Sequence, residues 1–147
     1  MDPFEKDEYY MKLAIKEAET AFTKDEVPVG AIVVCNEKVI ARAYNMSETL
    51  TDPTAHAEMQ VITAATSYLG GKYLIGCTVY ITLEPCVMCA GALFWSQPSR
   101  IVFGAYDEKR GYTMVAKNLL HPKTDITGGV LDFESRALLK KFFSGKR

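Results

Sequence analysis

The chain has 147 residues, of which 48% are apolar and 24% are charged, and its formal net charge is -1. This composition is ordinary for a globular protein and suits one domain, predicted here over residues 1–147. No apolar stretch approaches the ~20 residues of a membrane-spanning helix, and the acidic opening MDPFEKDEYY lacks the basic end and apolar run of a signal peptide. We therefore expect a cytoplasmic protein that does not enter a membrane.

The spacing of apolar residues predicts alternating helices and strands along the chain. Apolar residues at helical spacing indicate helices, and short runs rich in β-branched residues indicate strands. The predicted helices cover residues 8–22, 52–66, 86–95 and a last stretch from 132, and the predicted strands cover residues 27–35, 38–45, 77–83 and 100–105. Residues 107–131 are predicted as turns with one short strand.

Individual residues support several of these boundaries. Asp52 and Asp132 are suited to open helices, and Pro85 suits a first helical position. The helix over residues 86–95 is apolar on nearly every side, which predicts that it is buried. The apolar positions of the last helix are Phe133, Leu138, Leu139, Phe142 and Phe143.

The order of the elements predicts the fold class. It reads helix, strand, strand, helix, strand, helix, strand, loop, helix, which indicates a three-layer α/β/α sandwich around a mixed five-stranded sheet. The hairpin of the first two strands gives an antiparallel pair, whereas the helical crossovers give parallel strands.

Charge is distributed unevenly along the chain. Residues 1–99 contain 7 basic and 13 acidic side chains, whereas residues 100–147 contain 10 basic and 5 acidic ones. A basic C-terminal third can mark a side that faces nucleic acid. It can equally be a solvated surface whose counter-charges fold close by, and charge alone favours this second interpretation.

The segment TLEPCVMCAGAL places Cys86 and Cys89 three residues apart at a predicted helix start. Such positions share one helix face, so two thiolates can bind one ion, and thiolate with imidazole suits zinc. The chain has one such cysteine pair and two histidines, His56 and His121. A structural zinc site needs four protein ligands, whereas two cysteines and one histidine leave a position for water. The ligand count therefore indicates a catalytic zinc site.

Glu58 stands two residues after His56, at another predicted helix start. A carboxylate beside zinc-activated water can take up a proton and deliver it elsewhere. His56-Ala57-Glu58 followed by P-C-x-x-C at residues 85–89 matches the known signature of zinc deaminases, in which the glutamate is the acid/base and not a ligand. The motif therefore predicts a zinc-dependent deaminase.

The chain resembles the bacterial tRNA-specific adenosine deaminases of the cytidine deaminase-like superfamily. The matching segments are EVPVGAIVV, DPTAHAEM, TLEPCVMCAGAL, VFGAYDEKRG and a tail with LLKKFFSGKR. The resemblance implies a homodimer that binds a tRNA anticodon loop and converts adenosine to inosine at the wobble position. It also implies that His56, Cys86 and Cys89 hold Zn²⁺ and that Glu58 shuttles protons.

The same resemblance suggests three substrate-binding residues. Asn45, at the end of the second strand, would contact the flipped nucleoside, and Asp107 would lie near the flanking nucleotides. Phe143, with Phe142 and the basic residues of the tail, would bear on the RNA. The chain departs from the family after Gly111, where bulky residues and one histidine replace small residues and several histidines, and this departure bears on the fit to the RNA loop.

Several of these residues also have purely structural interpretations. Asn45 could end a strand turn, Asp107 could stabilise a turn, and His121 before a proline is predicted to be a turn residue. Cys35 and Cys77 lie in predicted strands and are expected to be small core residues.

Two other functions stay open at this point. The first is a free-base or nucleoside deaminase, for guanine or cytosine, because the zinc signature alone does not separate these substrates. The second is a zinc-stabilised RNA-binding or interaction module without catalysis, which would give Glu58 no function.

Overall fold

The computed structural model describes residues 1–146, and Arg147, the last residue of the predicted domain, lies outside the described residues. In chain order the elements are α1 (Pro3–Thr23), β1 (Gly30–Cys35), β2 (Lys38–Tyr44), α2 (Ala57–Leu69), β3 (Cys77–Leu83), α3 (Val87–Ser96), β4 (Arg100–Ala105), a short 3₁₀ turn (Tyr112–Met114), β5 (Asp125–Thr127) and α4 (Asp132–Ser144). No helix among the described residues is long and apolar enough to cross a membrane.

The five strands form one mixed sheet in the order β2-β1-β3-β4-β5. β1 pairs antiparallel with both β2 and β3, whereas β3, β4 and β5 are parallel neighbours. β2 and β3 run in the same direction, as expected for strands joined by a helix, but β1 lies between them. The predicted mixed five-stranded sheet is therefore confirmed.

Helices cover both faces of the sheet. α1 packs on one face, where its Met11 and Ala14 join Ile32 and Val102 of the strands in one apolar cluster. α2 and α3 pack on the other face, in a second apolar cluster that includes Val61, Leu93, Val33, Ile81 and Ile101. α4 lies beside α1, where the Phe22 and Phe142 rings are 5.9 Å apart. The predicted three-layer α/β/α sandwich is confirmed.

The first helix lies directly on the first strand at Gly30. A Cβ atom there would be 2.2 Å from the carbonyl oxygen of Ala14 and 2.5 Å from the nitrogen of Ala18. Both atoms belong to the α1 backbone, so only glycine permits this close approach. The contact fixes the start of β1 under α1.

Helix α1 begins five residues earlier than the predicted Glu8. The Asp2 side chain accepts a hydrogen bond from the Glu5 amide at 2.8 Å, and Pro3 occupies the first helical position. Both are established signals of a helix start, so the sequence contained the boundary and the apolar periodicity alone did not reveal it.

Two predicted helix starts are wrong by a few residues. The Asp52 carboxylate accepts the amide and hydroxyl of Thr54, which forms a local turn, and α2 begins only at Ala57. Pro85 stands outside α3, because Cys86 is the capping residue. These shifts place His56 and Cys86 at equivalent positions, each immediately before the first residue of its helix.

The last two helices are more exposed than predicted. Val87, Met88 and Trp95 of α3 project into solvent, and Trp95 is 73% exposed, so the expectation of a fully buried helix is wrong. The uniform apolar pattern does not distinguish a core helix from one with a free apolar face. In α4, Leu131 and not Asp132 is the capping residue, and Phe133 is 79% exposed.

Candidate active site

The site lies at the sheet edge where β2, β3 and β4 end and where α2 and α3 begin. His56 caps α2 and Cys86 caps α3, both with extended backbone and neither with a side-chain capping hydrogen bond. Their side chains are thus free of the usual capping bond and lie beside two helix N-termini, where the backbone favours negative charge. Cys89 is one turn into α3 and fully buried.

The three predicted ligands converge on one point. His56 Nδ1 lies 3.7 Å from Cys86 Sγ and 3.6 Å from Cys89 Sγ, and all three ligand atoms lie within 4.8 Å of one another. A tetrahedral zinc ion, with its usual bond lengths to sulfur and nitrogen, requires nitrogen–sulfur separations of roughly 3.6 Å. The residues therefore fit Zn²⁺ in donor type, number and spacing, with Nδ1 as the imidazole ligand.

The pKa values of the two thiols shift in opposite directions. Hydrogen bonds from Cys89 and then His56 outweigh burial and lower the pKa of Cys86 to about 4, so this sulfur is a thiolate at neutral pH. The Cys86 thiolate and burial raise the pKa of Cys89, and hydrogen bonding to Cys86 raises the pKa of His56. One thiolate is thus stable without a metal, whereas the second needs a cation, and binding it releases a proton.

Glu58 is the second residue of α2 and is 4% exposed. Burial raises the pKa of its carboxyl to about 7, against an opposing bond from its own backbone amide. Both protonation states are therefore accessible near neutrality, which a group that accepts and then donates a proton requires.

A cavity of about 260 Å³ opens above the ligands. Its walls include His56, Glu58 and Cys86 together with Asn45 and Asp107. Pockets for drug-sized ligands usually measure about 300–1,000 Å³. This cavity is therefore sized for a single base and not for an oligonucleotide.

Asn45 follows β2 directly and is buried. Its side-chain nitrogen donates to the Val27 carbonyl and its side-chain oxygen accepts from the Ser47 amide, both at 3.4 Å. These separations exceed the usual range for such bonds. The side chain thus takes part in a turn, as in its structural interpretation, and also lines the cavity.

Asp107 follows β4 and serves the turn that comes after it. One oxygen of its carboxylate accepts the amides of Lys109 and Arg110, each at 3.0 Å. Asp107 and Arg110 line the cavity and also a neighbouring groove of about 540 Å³. Phe143 lies in that groove, 54% exposed, and outside the cavity.

The other candidate ligands lie elsewhere. The ring nitrogen Nδ1 of His121 accepts the Lys123 amide at 3.1 Å, which matches its interpretation as a turn residue. Cys35 and Cys77 face each other on β1 and β3 at the opposite sheet edge, as free thiols. In the part of the chain that the structure describes, His56, Cys86 and Cys89 are the one group able to hold a metal.

Two buried carboxylates near the cavity were not predicted from the sequence. Glu26 and Glu84 each accept three hydrogen bonds from loops beside the cavity. Both lie inside the motifs EVPVGAIVV and TLEPCVMCAGAL. The only sequence signal was a charged residue next to an apolar strand, which by itself does not indicate what it binds.

Residues 4–105 match the protein family described as the cytidine and deoxycytidylate deaminase zinc-binding region. The match contains His56, Glu58 and both cysteines of the site. It confirms the predicted deaminase family and its zinc cofactor, whereas the roles of individual residues stay predictions.

Named relatives are similar over most of the chain. The tRNA-specific adenosine deaminase of Bacillus subtilis is 48% identical over 142 residues, which is 93% of this chain and 88% of the relative. The enzyme of the same name from Aquifex aeolicus is 49% identical, over 80% of this chain and 78% of the relative. These similarities confirm the resemblance to tRNA-specific adenosine deaminases.

A solved structure supports the same comparison. It comes from studies of A-to-I editing by tRNA deaminases at the wobble position of transfer RNA, and it is 39% identical to this chain. It superposes with a TM-score of 0.82 and covers 88% of this chain and 98% of its own. The loop after Gly111 therefore leaves the overall fold unchanged.

Proposed function

The chain belongs to the cytidine and deoxycytidylate deaminase family, and we propose that it is a zinc-dependent tRNA adenosine deaminase acting at the wobble position. One observation carries this proposal: the ligand triangle of His56, Cys86 and Cys89 underlies a base-sized cavity whose wall includes Glu58. The site chemistry fits hydrolytic deamination of a base. The choice of adenosine in tRNA rests on the relatives named for that substrate.

In this function His56, Cys86 and Cys89 hold Zn²⁺. When bound, Zn²⁺ lowers the pKa of a water ligand towards neutrality and so supplies the nucleophile for C6 of adenine. The chain's own residues hold the base edge-on in the cavity, exclude bulk water and move protons.

Glu58 carries out the proton transfers. Its carboxylate accepts the proton of the attacking water, passes a proton to a ring nitrogen, and assists protonation of the departing ammonia. The buried position at the N-terminus of α2 keeps the carboxylate beside the cavity and away from bulk water. Glu58 thereby acts as general base and then general acid on one substrate.

Asn45 binds the flipped nucleoside. Its two main-chain contacts at 3.4 Å are weak, so a hydrogen bond to the base or ribose can replace either of them at little cost. Its buried position on the cavity wall limits the amide to a few orientations, which suits recognition of one polar edge.

The groove beside the cavity holds the neighbouring nucleotides of the anticodon loop. Its lining includes the aromatic residues Tyr106 and Phe143 and the basic residues Lys109, Arg110 and Arg136, of which Arg136 also pairs with Asp132. The acidic Asp107 and Glu108 line it too. Aromatic rings stack on unpaired bases, and cations bind phosphates. Asp107 stands at the junction of groove and cavity, where the flipped nucleotide leaves the strand. A cytoplasmic location is part of the same proposal, since the substrate is tRNA.

The active protein is a homodimer in this proposal. An apolar surface on and near α3 supports it, because Val87, Met88, Trp95, Met114 and Val115 are all exposed. Large exposed apolar patches usually mark interaction sites, so these residues are the candidate dimer surface. Sedimentation equilibrium of the zinc-loaded protein tests this: a dimer that Trp95→Glu converts to a monomer supports the assignment, and a wild-type monomer contradicts it.

The direct test of the function is inosine formation in an anticodon stem-loop with adenosine at the wobble position. Free adenosine, adenine, guanine and cytosine are run beside it under the same conditions. Inosine in the stem-loop alone supports the proposal. Turnover of free guanine or cytosine with an untouched stem-loop supports the alternative, a free-base deaminase with the same zinc chemistry.

The Glu58→Gln variant tests the catalytic role against a non-catalytic RNA-binding module. We expect zinc content and stem-loop binding to persist while turnover falls at least ~10²–10⁴-fold, the usual contribution of general acid–base catalysis. Full turnover in this variant contradicts the proton-transfer role. Stem-loop binding without turnover in both wild type and variant supports the module.

A further inference from the structure

Two buried carboxylates lie outside the metal site and have no part in the proposed chemistry. Glu26 precedes β1 and is 0% exposed, and Glu84 follows β3 and is 2% exposed. A buried carboxylate is costly unless a cation or several hydrogen bonds compensate it. Among residues 1–146 neither one forms a salt bridge, so hydrogen bonds supply the compensation.

Glu26 binds the loop that follows β2. Its Oε1 accepts the amide of Glu48 at 3.0 Å, and its Oε2 accepts both the amide and the hydroxyl of Thr49 at 2.6 Å. The loop continues directly from Asn45 and Ser47, which line the base cavity. One buried carboxylate therefore fixes this wall of the cavity.

Glu84 binds the loop that follows β4 in the same manner. Its Oε1 accepts the amide of Asp107 at 3.1 Å, and its Oε2 accepts the amide of Thr113 at 3.2 Å and its hydroxyl at 2.6 Å. The loop passes so close that a Cβ on Gly111 would lie 2.4 Å from the Glu84 carboxyl carbon. Both ends of the loop are thus held by one side chain.

The two loops stand on opposite sides of the cavity. They follow β2 and β4, which flank the central pair of β1 and β3 in the sheet. Glu84 itself lines the cavity, and Glu26 stands beside the wall residue Val27 in the sequence. Each carboxylate thus connects one loop wall of the cavity to the end of a strand of the sheet or to the segment that leads into it.

We propose that Glu26 and Glu84 are positioning residues that hold the two loop walls of the base cavity at a fixed separation. Each carboxylate accepts hydrogen bonds from loop amides that have no partner in a strand. The expected effect of the carboxylates on turnover rests on the proposed deaminase function, whereas their expected effect on the loops does not.

The charge of each group is required because every bonded partner is a donor. A carboxylate accepts at both oxygens, whereas glutamine of the same shape accepts at one and donates at the other. Glu26→Gln or Glu84→Gln therefore turns an amide nitrogen towards loop donors. Thr49→Val and Thr113→Val are milder variants, since each removes one hydroxyl bond and keeps the carboxylate.

Amide hydrogen exchange of the zinc-loaded protein tests the loop contacts directly. We expect Glu26→Gln to accelerate exchange at least ~10-fold at Glu48 and Thr49 alone, and Glu84→Gln to do so at Asp107 and Thr113 alone, in line with the loss of hydrogen bonds to a charged group. The valine variants should show smaller effects at the same amides. Unchanged exchange at these amides, or equal acceleration in the central strands, overturns the proposal.

Turnover of the stem-loop tests the effect on the cavity. We expect Glu26→Gln to lower kcat, since its loop holds the base, and Glu84→Gln mainly to raise KM, since its loop also borders the groove. A loss of ~10–100-fold in kcat/KM is expected for misplacement of about 1 Å, with zinc content unchanged. Glu19→Gln, on the exposed side of α1, is the matched control and should behave as wild type.

The two proposals fail separately. If wild type does not edit the stem-loop, the deaminase assignment fails while the amide-exchange result still decides the role of the carboxylates. If wild type edits it and all four variants keep wild-type kinetics and exchange, the positioning role fails and the function stands. If the loss of turnover in the variants is proportional to a loss of zinc, and does not depend on which loop was changed, the positioning role is also overturned.

Discussion

Buried polar groups have different partners at the two edges of the sheet. At the active-site edge, two thiols, an imidazole and the Glu58 carboxylate meet, and none of them forms a salt bridge with a lysine or arginine among residues 1–146. At the opposite edge, the buried Asp7 carboxylate receives both arms of the Arg100 guanidinium, at 2.8 and 2.6 Å. One edge is left for a cation from outside, and the other is completed within the chain.

At the opposite edge, the polar groups of Asp7, Tyr80 and Arg100 form hydrogen bonds with one another. The Tyr80 hydroxyl donates to Asp7 at 2.8 Å, and Arg100 also donates to the Thr127 hydroxyl oxygen at 3.0 Å. Burial and the Asp7 carboxylate raise the pKa of Tyr80, which keeps it a donor at all ordinary pH values. This network joins α1 to β3, β4 and β5, which is the arrangement expected of a stabilising network.

The charges at one edge therefore stabilise the fold, whereas those at the other edge are available to bind a ligand. A buried ion pair whose two charges are hydrogen-bonded to each other leaves no unpaired charge to bind a substrate. At the ligand triangle, where His56 Nδ1 lies 3.6–3.7 Å from the two sulfur atoms, the second thiolate is stable only when a cation binds. Substitutions at the two edges should therefore affect different measurements.

The largest effect is expected from Cys89→Ala at the active-site edge. Zinc should fall from about one per chain to below ~0.1, with loss of deaminase turnover, because two ligands do not make a stable zinc site. Metal analysis by mass spectrometry measures this. Cys77→Ala removes a thiol equally buried at the opposite edge and should keep its zinc. Retention of zinc by Cys89→Ala contradicts the ligand assignment.

The next largest effect is expected at the opposite edge, from Asp7→Asn. We expect the free energy of unfolding to fall by about 2–4 kcal/mol, because the substitution leaves a guanidinium partly buried and breaks its paired hydrogen bonds. Urea unfolding measures this. Zinc content and turnover per folded molecule should stay at the wild-type level, and a loss of zinc would remove the distinction between the two edges.

The metal site was predictable because its chemistry is local in sequence. His56 and Glu58 are two residues apart, and Cys86 and Cys89 are three apart, so the motif itself presents them at two helix starts. The order of elements also gave the fold class, since alternating strands and helices permit few sheet arrangements.

The buried ion pair and the two loop-binding carboxylates were not predictable, because they depend on contacts between residues that are distant in the sequence. Asp7 and Arg100 are 93 residues apart, and Glu26 and Glu84 bind amides that lie 22 to 29 residues away. No short-range pattern marks such pairs. The exposed face of α3 was missed for a different reason, because apolar periodicity reports which residues avoid water and not whether the chain itself covers them.

A smaller, pH-dependent effect is expected from Glu26→Gln. Burial raises the pKa of the Glu26 carboxyl, but bonds from Thr49 and from the Glu48 and Thr49 amides prevail and lower it. The carboxylate thus contributes stability above the unfolded value of 4.5, and this contribution is lost as the pH falls through the lower folded pKa.

Unfolding of wild type and Glu26→Gln over pH 3–7 measures this contribution. We expect a difference of about 1.5–3 kcal/mol at neutral pH, the usual value of hydrogen bonds to a charged group, which narrows as the pH falls below about 4.5. A difference that is constant with pH would mean that the variant loses packing and not a charged hydrogen-bond acceptor.

The smallest effect is expected from Asp132→Asn on α4. Asp132 pairs with Arg136 one turn later at 2.7 Å, but the side chains are 33% and 60% exposed. Such a surface pair contributes less than about 0.5 kcal/mol. One nitrogen of Arg136 contacts both Asp132 oxygens, whereas two nitrogens of Arg100 each bind one Asp7 oxygen. Urea unfolding of this variant beside Asp7→Asn compares an exposed pair with a buried pair that has two parallel hydrogen bonds. Equal losses of unfolding free energy in the two variants would mean that neither burial nor paired hydrogen bonds strengthen the Asp7 pair.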